Sequence, residues 1–166
     1  MPTKSRRNVK ATKLIVGLPF NLGSIELEND KVQQNAAWAL YVELSTRVAV
    51  QPLAEDEGIL REALTSLYNI FNITRQILRE AGPDVAKGPN SLGSIAINVV
   101  NKGLRPFLVK WHPLLKIYEE KKTLGLSTVE HERTWEHTAD LRSELEIVRT
   151  QMVIYANALA KIAGID

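Results

Sequence analysis

The residues of this chain best suited to acid–base chemistry are Arg105 and His112, seven positions apart in the segment Gly103 to Tyr118, GLRPFLVKWHPLLKIY. Seven residues are about two helical turns, so the two side chains share a helix face, with Val109 between them. Histidine titrates near neutrality and can act as a general acid or base, while arginine stays charged and can hold phosphate oxygens. The structural alternative is that Trp111 and His112 form part of a helix surface, or satisfy backbone carbonyls freed by Pro113. A second pair, Glu43 and Arg47, lies one turn apart, acid before base, in an otherwise apolar run. Buried together they would form a polar centre in which each charge needs the other. An exposed stripe or a structural ion pair explains the same spacing.

The spacing of Arg105 and His112 resembles the Arg-x(4–6)-His signature of HEPN domains. These are four-helix-bundle proteins, many of them ribonucleases. The resemblance implies a metal-independent RNA cleavage in which Arg105 stabilises phosphate charge and His112 works near the cleaved ribose. The chain departs from the family pattern at Pro106, directly after the arginine, and at Pro113, after the histidine.

Other chemistries find less support. Glu130, His131, Glu132, Glu136, His137 and Asp140 crowd metal-ligating side chains into one short stretch. His131 and His137 are six apart, however, about 120° around a helix, and cannot chelate one ion together. The Glu-x-x-His pairs of di-iron bundles would need glutamates where Val109, Thr128 and Thr134 stand. Acids at a helix start favour its dipole in any case, so the stretch reads as a solvated face with no metal. Without cysteine there is no thiolate nucleophile, disulfide or thiolate zinc site. Gly82, Lys87 and Gly88 lack the strand, the glycine before the lysine and the hydroxyl after it that a phosphate loop requires. No nucleophile elbow or dinucleotide fingerprint is present, and no cofactor is expected.

The elements that must position these residues are helices. Leu141, Leu145, Val148, Met152, Tyr155, Leu159 and Ile162 follow alternating steps of four and three, the a/d seam of a long helix packed nearly parallel to others. Ser127 opens that helix with a capping box to Glu130. Asp30 opens an earlier helix that the pattern carries to about Gln51, with the Gln33 side chain reaching back to the cap. Ala37, Leu40, Tyr41, Leu44 and Val48 form its stripe, and Trp38 and Val42 leave it apolar beyond that stripe. A second helix is predicted over Glu57–Ala81 and a third over Ile95–Lys122, bent or divided at Pro106. Lys13 to Phe20 and Ser24 to Leu27 read as extended chain or a small hairpin laid over the helices. The expected fold is an all-α, up-and-down four-helix bundle over residues 30–166, preceded by an extended segment or hairpin at 14–29 and a basic arm at 1–13.

That arm concentrates Lys4, Arg6, Arg7, Lys10 and Lys13, with no acid, in a chain of 166 residues and net charge +2. Nucleic acid phosphates or an acidic partner surface would suit it, as would a solvated terminus. Neither a signal peptide nor a membrane span is evident, so a soluble cytoplasmic protein is expected. In architecture the expected bundle is similar to the accessory helical bundles that bacteria encode beside larger enzymes, such as the accessory variability determinant of diversity-generating retroelements. The resulting expectation is a non-enzymatic helical module that forms a homo-oligomer or docks a protein partner, with Trp38, Tyr41, Val42 and Trp111 at the interface. Its rivals are the HEPN-like ribonuclease and a nucleic-acid-binding accessory protein that uses its arm.

Overall fold

The computed structural model describes residues 12–54 and 56–165. They form a mainly helical molecule with one antiparallel hairpin, so the chain is not purely all-α. The strands are β1 (Thr12–Gly17) and β2 (Ser24–Asn29). The helices are α1 (Lys31–Ser45), α2 (Leu60–Ala81), α3 (Leu92–Asn98), α4 (Arg105–Glu119), α5 (Thr128–Arg133) and α6 (Thr138–Ala163). α1 packs on α6 and α2, and α2 packs on α4. Every residue of the expected a/d seam, from Leu141 to Ile162, is buried.

Where helix ends differ from the sequence pattern, local hydrogen bonds explain the difference. α1 stops at Ser45 rather than Gln51: the backbone turns extended at Arg47, with ψ 138°, and the Gln51 side-chain amide caps the freed Ser45 carbonyl at 2.9 Å. α2 begins at Leu60 rather than Glu57, since Gly58 has φ +77° and cannot be helical. The last helix divides into α5 and α6. Its Ser127–Glu130 capping box is formed, but the Thr134 hydroxyl donates to the His131 carbonyl at 2.9 Å and the Thr138 hydroxyl to that of Glu132, closing α5 after two turns.

The third helical stretch is continuous from Leu92 to Glu119, and its middle, Val99–Leu104, widens to a π-helix. Pro106 has no N–H and its ring would collide with the carbonyl four residues back; the wider turn, with the Arg105 amide bonding to the Val100 carbonyl, absorbs the conflict. Pro113 lies inside α4.

The hairpin pairs Leu14 with Leu27 and Val16 with Ile25, placing these apolar side chains on its inner face and Lys13, Ile15, Glu26 and Glu28 outside. Its turn holds Phe20 and Asn21 at φ 55° and 57°, a strained conformation for side-chain-bearing residues. Anchors compensate for that strain. The Phe20 amide donates to Gln151 Oε1 at 2.6 Å, Lys161 Nζ to the Ile15 carbonyl at 2.8 Å, and Asn29 Nδ2 to the Ile162 carbonyl at 2.9 Å, all on α6. The Phe20 ring lies against Gly103 in the π-turn, where an added Cβ would fall 2.3 Å from a ring carbon. Gly103→Ala should therefore cost about 1–3 kcal/mol by overpacking. Urea unfolding checks this, and Phe20→Leu in the same chain should recover part of the loss.

Candidate functional site

Helix α2 reaches its first turn without a cap of its own, because Ile59 offers no side-chain acceptor. Glu132 of α5 supplies one. Its buried carboxylate accepts the Leu60 amide at 2.9 Å and the Arg61 amide at 3.2 Å. With its backbone fixed in this way, Arg61 extends its guanidinium across to α4, donating to both carboxylate oxygens of Glu119 at 2.8 and 3.1 Å and to His112 Nδ1 at 2.6 Å. Tyr68 stands edge-on to the His112 ring, with centroids 5.8 Å apart. The polar centre of the molecule is thus Arg61, His112, Glu119 and Glu132.

Guanidinium only donates, so His112 Nδ1 must accept and the ring is neutral with its proton on Nε2. That Nε2 is buried and has no hydrogen-bond partner. Burial first, and then the Arg61 charge, push the His112 pKa below its usual 6.5, with Glu119 opposing. Arg105 faces elsewhere. It is exposed, donates to Asn101 Oδ1 at 2.8 and 3.3 Å, and places its guanidinium 5.1 Å from the centroid of the Phe71 ring. The shared helix face does not give the two side chains a common partner: His112 meets Arg61 and Arg105 meets Asn101.

The acid-rich stretch at 130–137 is only partly a solvated face. Glu132, His131 and Trp135 are buried. His131 stacks on Tyr118 with centroids 4.1 Å apart, and its Nε2 meets the Tyr118 carbonyl at 2.7 Å. Trp135 also stacks on Tyr118, at 5.5 Å, and meets Trp111 edge-on at 6.0 Å. Among the described residues no group of three His, Cys, Asp or Glu is placed to hold a metal ion. Sequence reasoning passed over Arg61 and Glu119 and placed Glu132, which is buried, on a solvated face. The available signal was the uncapped Ile59, which required an acceptor from elsewhere, and Trp135 at the point where the helical period breaks.

The other sequence candidates divide. Trp38 is 51% exposed and stacks on Tyr41 at 6.0 Å, beside Val42 at 39% exposure, so these three share the outer side of α1. Trp111 does not join them: it is buried, with its indole N–H donating to Glu144 at 2.7 Å. Lys110, ahead of that indole, holds the Glu144 carboxyl below its ordinary range. Glu43 and Arg47 form an ion pair at 3.0 Å near the end of α1, partly open to solvent and not a buried centre. Gln33 does not reach back to its cap. Asp30 accepts the Gln33 amide at 3.0 Å, but the Gln33 side chain is buried and accepts the Leu92 amide at 2.7 Å, docking the 83–91 connection. Of the basic arm, Lys13 pairs with Glu26 at 3.2 Å; Lys4, Arg6, Arg7 and Lys10 lie outside the described residues. No helix among the described residues is long and apolar enough to cross a membrane. Compared with family models, curated proteins and solved structures, the chain matches none.

Two outcomes follow from the polar centre. Glu132→Ala strands two buried amides and should destabilise the fold by about 1–3 kcal/mol, whereas Glu132→Gln, which keeps one acceptor, should cost less; denaturant unfolding of both variants checks the order. The lowered pKa of His112 means that the unfolded chain binds the proton more tightly, so its contribution is intact above about pH 6.5 and is lost as the pH falls toward the folded value. His112→Gln should flatten that part of the stability–pH curve.

Proposed function

We propose that the protein is a non-enzymatic, cytoplasmic helical module that associates with a second copy of itself, or with a partner protein, through the outer side of α1. In this reading α1, α2, the bent helix from 92 to 119 and α6 act as an up-and-down four-helix bundle over residues 30–166, which the hairpin clips from outside. The observation that carries it is Trp38, half exposed and stacked on Tyr41 beside Val42. A large exposed aromatic with Tyr41 and Val42 beside it, bordered by the polar Asn35 and Thr46, has the apolar centre and polar rim of an interface, where Trp and Tyr supply most of the contact energy. The polar centre supports a structural use of the catalytic-looking residues, since His112 offers one nitrogen to Arg61 and buries the other. A role as an accessory subunit of a larger assembly is consistent with this module.

Light scattering at about 100 μM should report a dimer or larger species. Trp38→Glu should return it to monomer, with stability changed by no more than about 0.5 kcal/mol, as for exposed substitutions generally. The native protein should leave RNA intact. A strictly monomeric native protein that also binds no partner would count against the reading. So would metal-independent RNA cleavage lost in both Arg105→Ala and His112→Ala with melting unchanged.

A further inference from the structure

The outer face of α4 has a chemistry distinct from that of α1. α4 buries Phe107, Leu108, Trp111 and Leu115 and leaves Val109, Pro113 and Ile117 exposed at successive helical turns, with Leu114 beside them. Val109 is 66% exposed, Ile117 54% and Leu114 40%. Leu114 and Ile117 also border a groove of about 350 Å³ that continues to Trp135 and His137 in the α5–α6 link. This stripe is flanked by cations. Lys102, Arg105, Lys116, Lys121 and Lys122 are exposed around it. Of the neighbouring acids, Glu119 is committed to Arg61 and Glu144 to Lys110, leaving Glu120, Glu136 and Asp140, the last beside His137, exposed against the five cations. The face is therefore an apolar line with a positive rim, broken by a concavity large enough for one apolar side chain.

We propose that this face docks a partner segment of complementary chemistry: an amphipathic helix with apolar residues three and four apart and Asp or Glu along both edges. The line of side chains at i, i+4 and i+8 matches the spacing by which a helix lies along another. The rim sets the sign of the partner's charge and speeds its approach. The groove beside Trp135 takes an anchoring residue. Nucleic acid would set phosphates against Val109, Pro113 and Ile117. An anionic bilayer would be met by a stripe without the exposed aromatic or leucine-rich surface that interfacial helices bury. This inference is independent of association through α1.

The test uses the full chain and a fluorescein-labelled, amidated 16-residue peptide with leucines in i, i+4, i+7 and i+11 spacing and glutamates on both flanks, read by fluorescence anisotropy. Saturable binding is expected, weakening roughly tenfold between about 50 and 300 mM salt as the rim is screened. Ile117→Glu and, separately, Val109→Glu should each reduce affinity at least about tenfold, with circular dichroism melting as the check on folding. Lys116→Glu combined with Lys121→Glu should shift preference toward the same peptide carrying lysine in place of glutamate. Trp38→Glu should leave binding unchanged even where it abolishes association of the protein with itself. Any of four results would overturn the assignment: no saturable binding, equal affinity for the lysine peptide, loss of binding in Trp38→Glu, or sedimentation with phosphatidylserine vesicles that Ile117→Glu removes.

Discussion

The arrangement depends on one buried carboxylate. Every helix start leaves amide donors without partners, and α2 opens after Gly58 and Ile59, neither of which can supply an acceptor. Glu132 meets that need from a different helix, so the start of α2 and the end of α5 are held at one distance and one angle. The negative charge suits the positive end of the α2 dipole, which also lowers the cost of burying it. Once the Arg61 backbone is fixed by Glu132, its side chain has a defined reach. It spans to Glu119 and His112 on α4 and ties a third helix to the same point.

The irregular chain is held by the same logic at two other places. The Gln33 amide group sits buried between α1 and the 83–91 connection, where it accepts the Leu92 amide and so sets the start of the bent third helix. At the far side, Phe20 takes a strained backbone conformation and places its ring against Gly103 in the π-turn. The π-turn exists because Pro106 cannot continue an ordinary helix there. A proline in one element thus creates the geometry that receives the tip of another. A methyl group at 103 would not fit between them.

These couplings explain what could be read from the sequence. The seam of α6 was legible because it depends only on period, and all seven of its residues are buried. The Asp30 and Ser127 caps were legible because each acts within three residues. The end of α1, the start of α2 and the break between α5 and α6 were not, because the extended Arg47, Gly58, Thr134 and Thr138 interrupt a continuing apolar pattern. Gln33 shows the limit most plainly: its backbone makes the expected cap bond, while its side chain is used by a loop more than fifty residues away. Arg105 and His112 were correctly placed on one helix, yet spacing along a helix cannot say which neighbouring helix supplies each partner.

Several internal polar groups are spent on the fold, while the buried Thr74 and Tyr155 hydroxyls have no hydrogen-bond partner. Arg61 saturates Glu119, Glu132 saturates the start of α2, His131 is fixed on the Tyr118 carbonyl, and His112 presents no free nitrogen to solvent. A general acid or base needs a proton or lone pair that a substrate can reach, and the hydrogen bonds of Arg61, Glu132 and His131 all run to other parts of the chain. The exposed apolar surface includes an aromatic patch on α1 and a stripe on α4 with cations around it. The two faces differ in charge as well as in shape, so the two associations proposed for them would not compete. Glu132 and Arg61 tie α2, α4 and α5 at one point, and α1 packs on α2 and α6, so both faces belong to one packed core.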